Sequence, residues 1–260
     1  MTDAPDLRLT LRFHEISERD NRILDPFLED QLMLLGDICY AGRRIDANTR
    51  QLDLCCGKGE MLCRWAQRYG LTGTGVDISS VFLDAAHRRA EELAVTDRIS
   101  FVRDNAATYA FDPASYDIVS CIGATWIGGG LTGTLDLMRP ALRDRDSLML
   151  VGEPYWIDDP PQAAYDAITD GDRDLFTTLP GTHDRIRAAG FELIEMVLAN
   201  HDGWDRYAAP QWRAVSDWLR DHPDDEHAGA IRALHEKSRA DHLAHVRPHL
   251  GWGVFVLRQA

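Results

Sequence analysis

The sequence predicts an α/β fold, a largely parallel sheet with helices on both faces, and two observations carry the prediction. The first is Gln51 to Met61, QLDLCCGKGEM, an apolar run closed by an acid, two small residues and the pair Gly57 and Gly59. Met61, Leu62, Trp65, Ala66 and Tyr69 then recur at helical spacing, so a buried strand turns abruptly into a helix. The second is repetition: later apolar runs end on Asp77 and Asp104, delivering polar groups to the same sheet edge as Asp53. A ligand is therefore expected at the strands' carboxyl ends, over a helix N-terminus.

Composition bounds the function. A chain of 260 residues with 45% hydrophobic content can bury one large core. Its formal net charge of −14, with Lys58 and Lys237 the only lysines, argues against a nucleic-acid partner. No apolar run approaches the roughly 20 residues that cross a bilayer. The start, MTDAPDLRLT, lacks a basic segment followed by an apolar one, so a soluble, cytoplasmic protein with no membrane partner is expected. Five cysteines without a C-x-x-C pair indicate neither a zinc site nor a disulfide framework.

Taken in order, residues 1 to 12 carry no clear signal. Ser17 with Asp20 resembles a capping box opening a helix that stops near Pro26, and Leu28, Leu32, Leu35 and Cys39 mark one face of a second helix. These helices either form part of a lid, over Phe13 to Phe27, or cover a sheet edge.

Beyond the glycine loop, Leu71 to Ile78 reads as a strand ending on Asp77, about twenty residues on, where a βαβ nucleotide fold places an acid for ribose hydroxyls. The alternative for Asp77 is a helix cap. Phe82, Ala86, Ala90 and Leu93 form the next helix's inner face. Ile99 to Arg103 is a third strand running into Asp104, Asn105 and Ala106, a ligand contact or an Asx turn.

Tyr116 to Gly123, YDIVSCIG, reads as a fully buried strand. Trp126 follows on a connection softened by Gly128 to Gly130, as an acceptor-pocket wall or as core. Leu131, Leu135, Met138 and Leu142 repeat at helix spacing. Ser147 to Gly152 is a strand whose carboxyl end carries Glu153, Pro154, Tyr155 and Trp156. There Glu153 is a candidate to orient an acceptor or take its proton, or else a cap or ion-pair partner.

Residues 157 to 180 read as an insertion, His183 to Ala189 as a short helix and Phe191 to Leu198 as a strand. About fifty residues then precede the last strand, Trp252 to Leu257, and hold two helical patterns, Trp212, Val215, Leu219 and Ile231, Leu234, Ser238. With Asn200, His201, Trp204 and Tyr207 before them, they are expected to form a cap that excludes water. Its histidines His222, His227, His235, His242, His245 and His249 are expected to be solvated, with no metal site.

The dinucleotide fingerprint fails, because Leu62 stands at the third glycine position. LDLCCGKGEML, GTGVDIS, RDNA and YDIVSCIGATW instead resemble, as a set, the core of class I S-adenosylmethionine-dependent methyltransferases across Asp46 to Gly152. The family's D-x-G-x-G-x-G loop maps onto Asp53, Gly57 and Gly59. Cys55 replaces the first glycine, which a negative φ would accommodate. With GATWIGGG, GEPYW and GWDRY, nearly the whole chain looks like a group of bacterial small-molecule methyltransferases.

The resemblance implies a Rossmann-like seven-stranded sheet with an antiparallel last strand, plus a helical cap, and S-adenosylmethionine as cofactor. Implied cofactor contacts are Asp53, Cys55, Gly57, Gly59, Asp77, Ile78, Asp104, Asn105, Ala106, Cys121 and Gly123. Candidate acceptor contacts are Trp126, Tyr155, Trp156, Trp204 and Tyr207, and the candidate catalytic residue is Glu153. One domain is expected, with N-terminal helices over 1–45, the sheet over 46–199 and 251–260, and the cap over 200–250. The partner is a small aromatic or cationic acceptor, and the protein a monomer or homodimer. A protein methyltransferase and a non-catalytic adenosine-ligand binder stay open as alternatives.

Overall fold

A computed structural model describes residues 7–40 and 47–260. The boundary expected after residue 45 lies outside the described residues. Helices α1 (Leu7–Ser17) and α2 (Glu29–Tyr40) precede the sheet. Strand β1 (Arg50–Leu54), α3 (Glu60–Tyr69), β2 (Thr72–Asp77), α4 (Ser80–Glu92), β3 (Ile99–Arg103), β4 (Ile118–Ile122), α5 (Leu131–Met138) and β5 (Leu148–Trp156) follow. Then come α6 (Gln162–Thr169), α7 (Leu179–Ala188), β6 (Phe191–Leu198), α8 (His201–Asp221), α9 (Ala228–Asp241) and β7 (Leu250–Gln259).

The seven strands lie in the order β3-β2-β1-β4-β5-β7-β6, with β7 antiparallel to both neighbours. The direction of travel reverses between β1 and β4, where open α/β sheets bind their ligands. Period-two alternation sorts the sheet's side chains into two cores. Ile118, Leu148, Leu150, Val254 and Val256 pack with Leu35, Leu62 and Trp65 of α2 and α3. Val119, Met149, Val151, Phe255 and Leu257 pack with Leu135, Met138 and Ile186 of α5 and α7. A strand apolar on both faces has no solvent side, which explains why β4 and β5 read as continuous hydrophobic runs.

Three expectations are corrected. Ser17 closes a helix where a cap opening one was expected: its backbone is helical and its hydroxyl donates to the His14 carbonyl at 3.2 Å. The cause lies in residues 1 to 12, where Leu9, followed by Phe13 and Ile16, begins a stripe against Val215, Leu219 and Ile231 of the cap. Next, β5 does not stop at Gly152. It continues to Trp156 because β7 pairs with it throughout, from Met149 opposite Leu257 to Trp156 opposite Leu250. Glu153 is therefore a mid-strand residue opposite Gly253, not a strand-end residue. The 157–180 segment, read as an insertion, holds the helix α6. Finally, His235 and His242 are buried rather than solvated, and His242 lies between the rings of Trp204 and Trp212 at 6.0 and 5.5 Å.

Candidate active site

The loop between β1 and α3 is built on left-handed backbone. Cys55, Gly57 and Gly59 have φ of 60°, 54° and 67°. Cys55 therefore lacks the negative φ expected of it, and carries the roughly 1–2 kcal/mol that a β-carbon costs in this region. The two glycines serve different ends. A β-carbon on Gly59 would stand 2.6 Å from the Phe101 ring and 3.1 Å from Ala86, so this residue lets α3 and α4 approach the sheet. One on Gly57 would stand 2.7 Å from Leu24, a residue of the N-terminal segment.

Asp77 ties the loop to the end of β2. Its carboxylate accepts the Gly57 N–H and the Ser79 N–H, both at 2.9 Å, and Ser79 caps α4 through Phe82 N–H. The cap of α4 is thus Ser79, and Asp77 holds that cap through its N–H. Ile78 beside it is exposed. Asp53 is buried, accepts from Ser120 Oγ at 2.7 Å, and burial raises its carboxyl to about 7. At the end of β3, Asp104 accepts the Asn105 N–H, Asn105 Oδ1 accepts the Ala107 N–H as in an Asx turn, and Ala106 is buried. Cys121 is buried beside Cys55, and that contact with burial pushes its thiol up. Gly123 follows β4 with φ 76°.

An element that the sequence did not resolve completes the site. Between α1 and α2 the chain makes a 3₁₀ turn, Glu18–Asp20, and then bends across the strand ends, pinned by Lys58 from the glycine loop. The Lys58 ammonium donates to the carbonyls of Glu18, Arg19 and Asn21 at 2.6, 3.0 and 2.6 Å. Leu24 covers Gly57, Phe27 meets the Trp252 ring edge-on at 4.9 Å, and the Pro26 carbonyl abuts Gly203 at the start of α8. Asp25 is laid against Gly123, where a β-carbon would stand 2.1 Å from Oδ1. From above, Asn21 and Gln211 donate to Glu18 at 2.8 and 3.0 Å, and burial raises Glu18 to about 7.

Asp25, Glu18 and Lys58 were missed as site residues. A polar signal was present: an acid inside RILDPFL, and one of only two lysines placed in the loop itself. The acids here act on one another, since Asp25 feels Glu18 and Asp53, and Asp53 feels Asp77, while Lys58 acts on Glu18. Desolvation pushes Asp25 well above the ordinary carboxylate range. Acids gathered at the strand ends suit a cationic ligand and repel a pyrophosphate.

Glu153 and the aromatic residues do not form one group. Glu153 is 2% exposed; Thr125 Oγ1 donates to its Oε2 at 2.7 Å, and burial raises it to about 7. Thr125 opens the short 3₁₀ turn Thr125–Gly128, which presents Trp126 at 72% exposure. Tyr155 is buried with its ring over Gly251. Trp156, on the opposite face of β5, packs edge-on against Tyr165 at 4.9 Å. Trp204 and Tyr207 stand together on α8, 6.4 Å between ring centres, and the Tyr207 carbonyl accepts from Asn21. The structure thus brings Trp204 and Tyr207 to the N-terminal segment and leaves Tyr155 and Trp156 in packed interiors.

Residues 52–143 match a methyltransferase-domain family. The chain is 41% identical to the uncharacterized protein YjhP of Escherichia coli K12 over 247 residues, 95% of this chain and 97% of YjhP. Its fold matches, with a TM-score of 0.89 and 39% identity over the whole of both chains, the crystal structure of an S-adenosylmethionine-dependent methyltransferase from Geobacter sulfurreducens in complex with S-adenosylhomocysteine. A corresponding complex from Thiobacillus denitrificans matches with a TM-score of 0.88 and 37% identity, again over both full chains.

Proposed function

We propose, for a chain that belongs to the S-adenosylmethionine-dependent methyltransferases, that its acceptor is a small aromatic or cationic metabolite methylated on nitrogen, oxygen or sulfur. The observation that carries this reading is the closure of the strand ends by the 21–27 segment, held from the loop by Lys58 and from the cap by α8. A strap lying on both Gly57 and Gly123 covers the strand ends, which favours a small molecule over a folded protein surface as the acceptor. The acids beneath it favour a positively charged guest.

The residues present fit the cofactor. The acids at the strand ends, Asp25, Asp53 and Asp77, supply partners for an ammonium and a sulfonium, while Gly57 and Gly123 seat Leu24 and Asp25 of the segment above them. In this reading Asp53 faces the amino-acid end, Asp77 the ribose hydroxyls and Asp104 with Asn105 the adenine edge. Cys55, Gly57, Gly59, Ile78, Ala106, Cys121 and Gly123 shape the walls. When bound, S-adenosylmethionine supplies a methyl group on a sulfonium that an acceptor lone pair takes in line, leaving S-adenosylhomocysteine.

The chain's own work is then orientation and water exclusion. Trp204 and Tyr207 are assigned to the acceptor from the cap side, and the exposed Trp126 from the β4 side, where indole faces bind cations and flat rings alike. Tyr155 and Trp156 support this wall from behind. Glu153 is assigned as a positioning residue, since its carboxyl is occupied in holding Thr125 and so fixes the turn that presents Trp126.

Transfer of radiolabelled methyl from S-adenosylmethionine into a cell extract, separated by size, tests the reading. Label in the small-molecule fraction is the expected result, and its reduction in Trp126→Ala and Trp204→Ala would mark those side chains as acceptor contacts. Label confined to macromolecules would replace the small acceptor with a protein. Absence of transfer despite tight cofactor binding would point to a sensor.

A further inference from the structure

One carboxylate at the strand ends takes no part in holding the loop. Asp25 sits on the segment that crosses the sheet edge, its Oδ1 against Gly123 at the end of β4. This is the β1–β4 gap, where the sheet order reverses. Asp77 and Asp104 occupy the ends of β2 and β3, on the other side of β1. A ligand whose ribose and adenine lie toward those strands extends its sulfur end toward β4, and hence toward Asp25.

We propose that Asp25 reads the charge on the cofactor's sulfur, so that this enzyme holds the sulfonium S-adenosylmethionine in preference to the thioether S-adenosylhomocysteine. The inference rests on the cofactor placement proposed for β1, β2 and β4. The two ligands share adenine, ribose, ammonium and carboxylate and differ by the methyl group and the positive charge it confers on sulfur. Every contact made to the shared parts moves both affinities together. A carboxylate facing the sulfur alone changes their ratio. Burial and the neighbouring acids Glu18 and Asp53 hold the Asp25 carboxyl protonated before a ligand binds, so that it ionises against a sulfonium and not against a neutral thioether. Once transfer has removed the charge, the same carboxylate no longer retains the product, so discrimination and release follow from one contact.

Calorimetric binding of S-adenosylmethionine and S-adenosylhomocysteine to the parent, Asp25→Asn and Asp53→Asn tests the proposal without an acceptor. The parent binds the sulfonium ligand more tightly. In Asp25→Asn, S-adenosylhomocysteine affinity holds within about threefold while S-adenosylmethionine affinity falls about tenfold or more, as expected for a charge pair a few ångströms apart in a partly buried site. Asp53→Asn weakens both ligands together. Retained S-adenosylhomocysteine binding also reports that Asp25→Asn is folded. Equal weakening of both ligands in Asp25→Asn, or an unchanged ratio, overturns the proposal. So does a parent that prefers S-adenosylhomocysteine, a measurement needing no variant. Failure of the parent to bind either ligand would instead overturn the cofactor reading.

Discussion

The carboxylate of Asp25 rests on Gly123: the hydrogen that faces it leaves room that a methyl group, 2.1 Å from Oδ1, would take. Gly123 also has φ 76°, so a side chain there is strained twice. Gly123→Ala is expected to push the 21–27 segment off the end of β4 and to cost about 1–2 kcal/mol from the backbone alone. Urea unfolding measures the stability loss. Calorimetry should show S-adenosylmethionine affinity reduced about tenfold, for the roughly 1.4 kcal/mol that one decade represents. Parental affinity in a destabilised variant would mean that the segment's seat on Gly123 is irrelevant to the ligand.

Lys58 is the clasp of that same segment. Its three donors are all engaged by carbonyls of residues 18, 19 and 21, a fit no neutral side chain reproduces. Lys58→Met keeps the aliphatic stem and removes the donors. Amide exchange across residues 18–27 should accelerate by at least about tenfold while β1 and β4 keep their protection, as for a local opening. Uniform acceleration over the sheet would instead make Lys58 a determinant of global stability.

Cys55 separates backbone from side chain in the loop. At φ 60°, glycine removes the strain but raises the entropy of the unfolded chain, and these terms nearly cancel, leaving Cys55→Gly within about 1 kcal/mol of the parent. A β-branched residue meets the same φ with more crowding. Cys55→Val should lose about 2 kcal/mol or more in thermal or chemical unfolding. A valine variant as stable as the glycine variant would show that the loop relaxes to another conformation.

The parts of this fold that could be read in advance are those whose periodicity is local. Strand β4 carries a two-sided apolar run, and Asp53, Asp77 and Asp104 stand out at or near the ends of β1, β2 and β3 because each acid follows apolar residues. The extension of β5 was hidden because Glu153 and Pro154 look like a strand's end; only pairing with β7, a hundred residues away, carries the strand past them. The Asp25 seat was hidden for a related reason. Residues 21–27 have no regular structure, and what holds them is a lysine in one segment, a glycine in a second and a helix start in a third. Ser17 misled through the opposite error, since a short capping pattern outweighed the longer stripe of Leu9, Phe13 and Ile16.

Glu153 gives the pH dependence a sign. Its carboxyl is raised from 4.5 to about 7, foremost by burial, against the Thr125 hydrogen bond and the Arg185 charge, which both lower it. The folded protein thus holds a proton that the unfolded chain has released between those values. The associated stability is present in full below pH 4.5 and is lost as pH rises to about 7. Glu153→Gln mimics the protonated group, keeps an acceptor for Thr125 and has nothing to lose on that interval. The variant should lie within about 1 kcal/mol of the parent near pH 5 and exceed it above pH 7 by about 2–3 kcal/mol, since each pKa unit is worth about 1.4 kcal/mol. Glu18 and Asp53, also raised to about 7, are present in both proteins and cancel in the difference. Unfolding midpoints of the two proteins from pH 5 to 8.5 provide the check. A constant offset would show that Glu153 stays ionised in the fold, and would return it to consideration as a base.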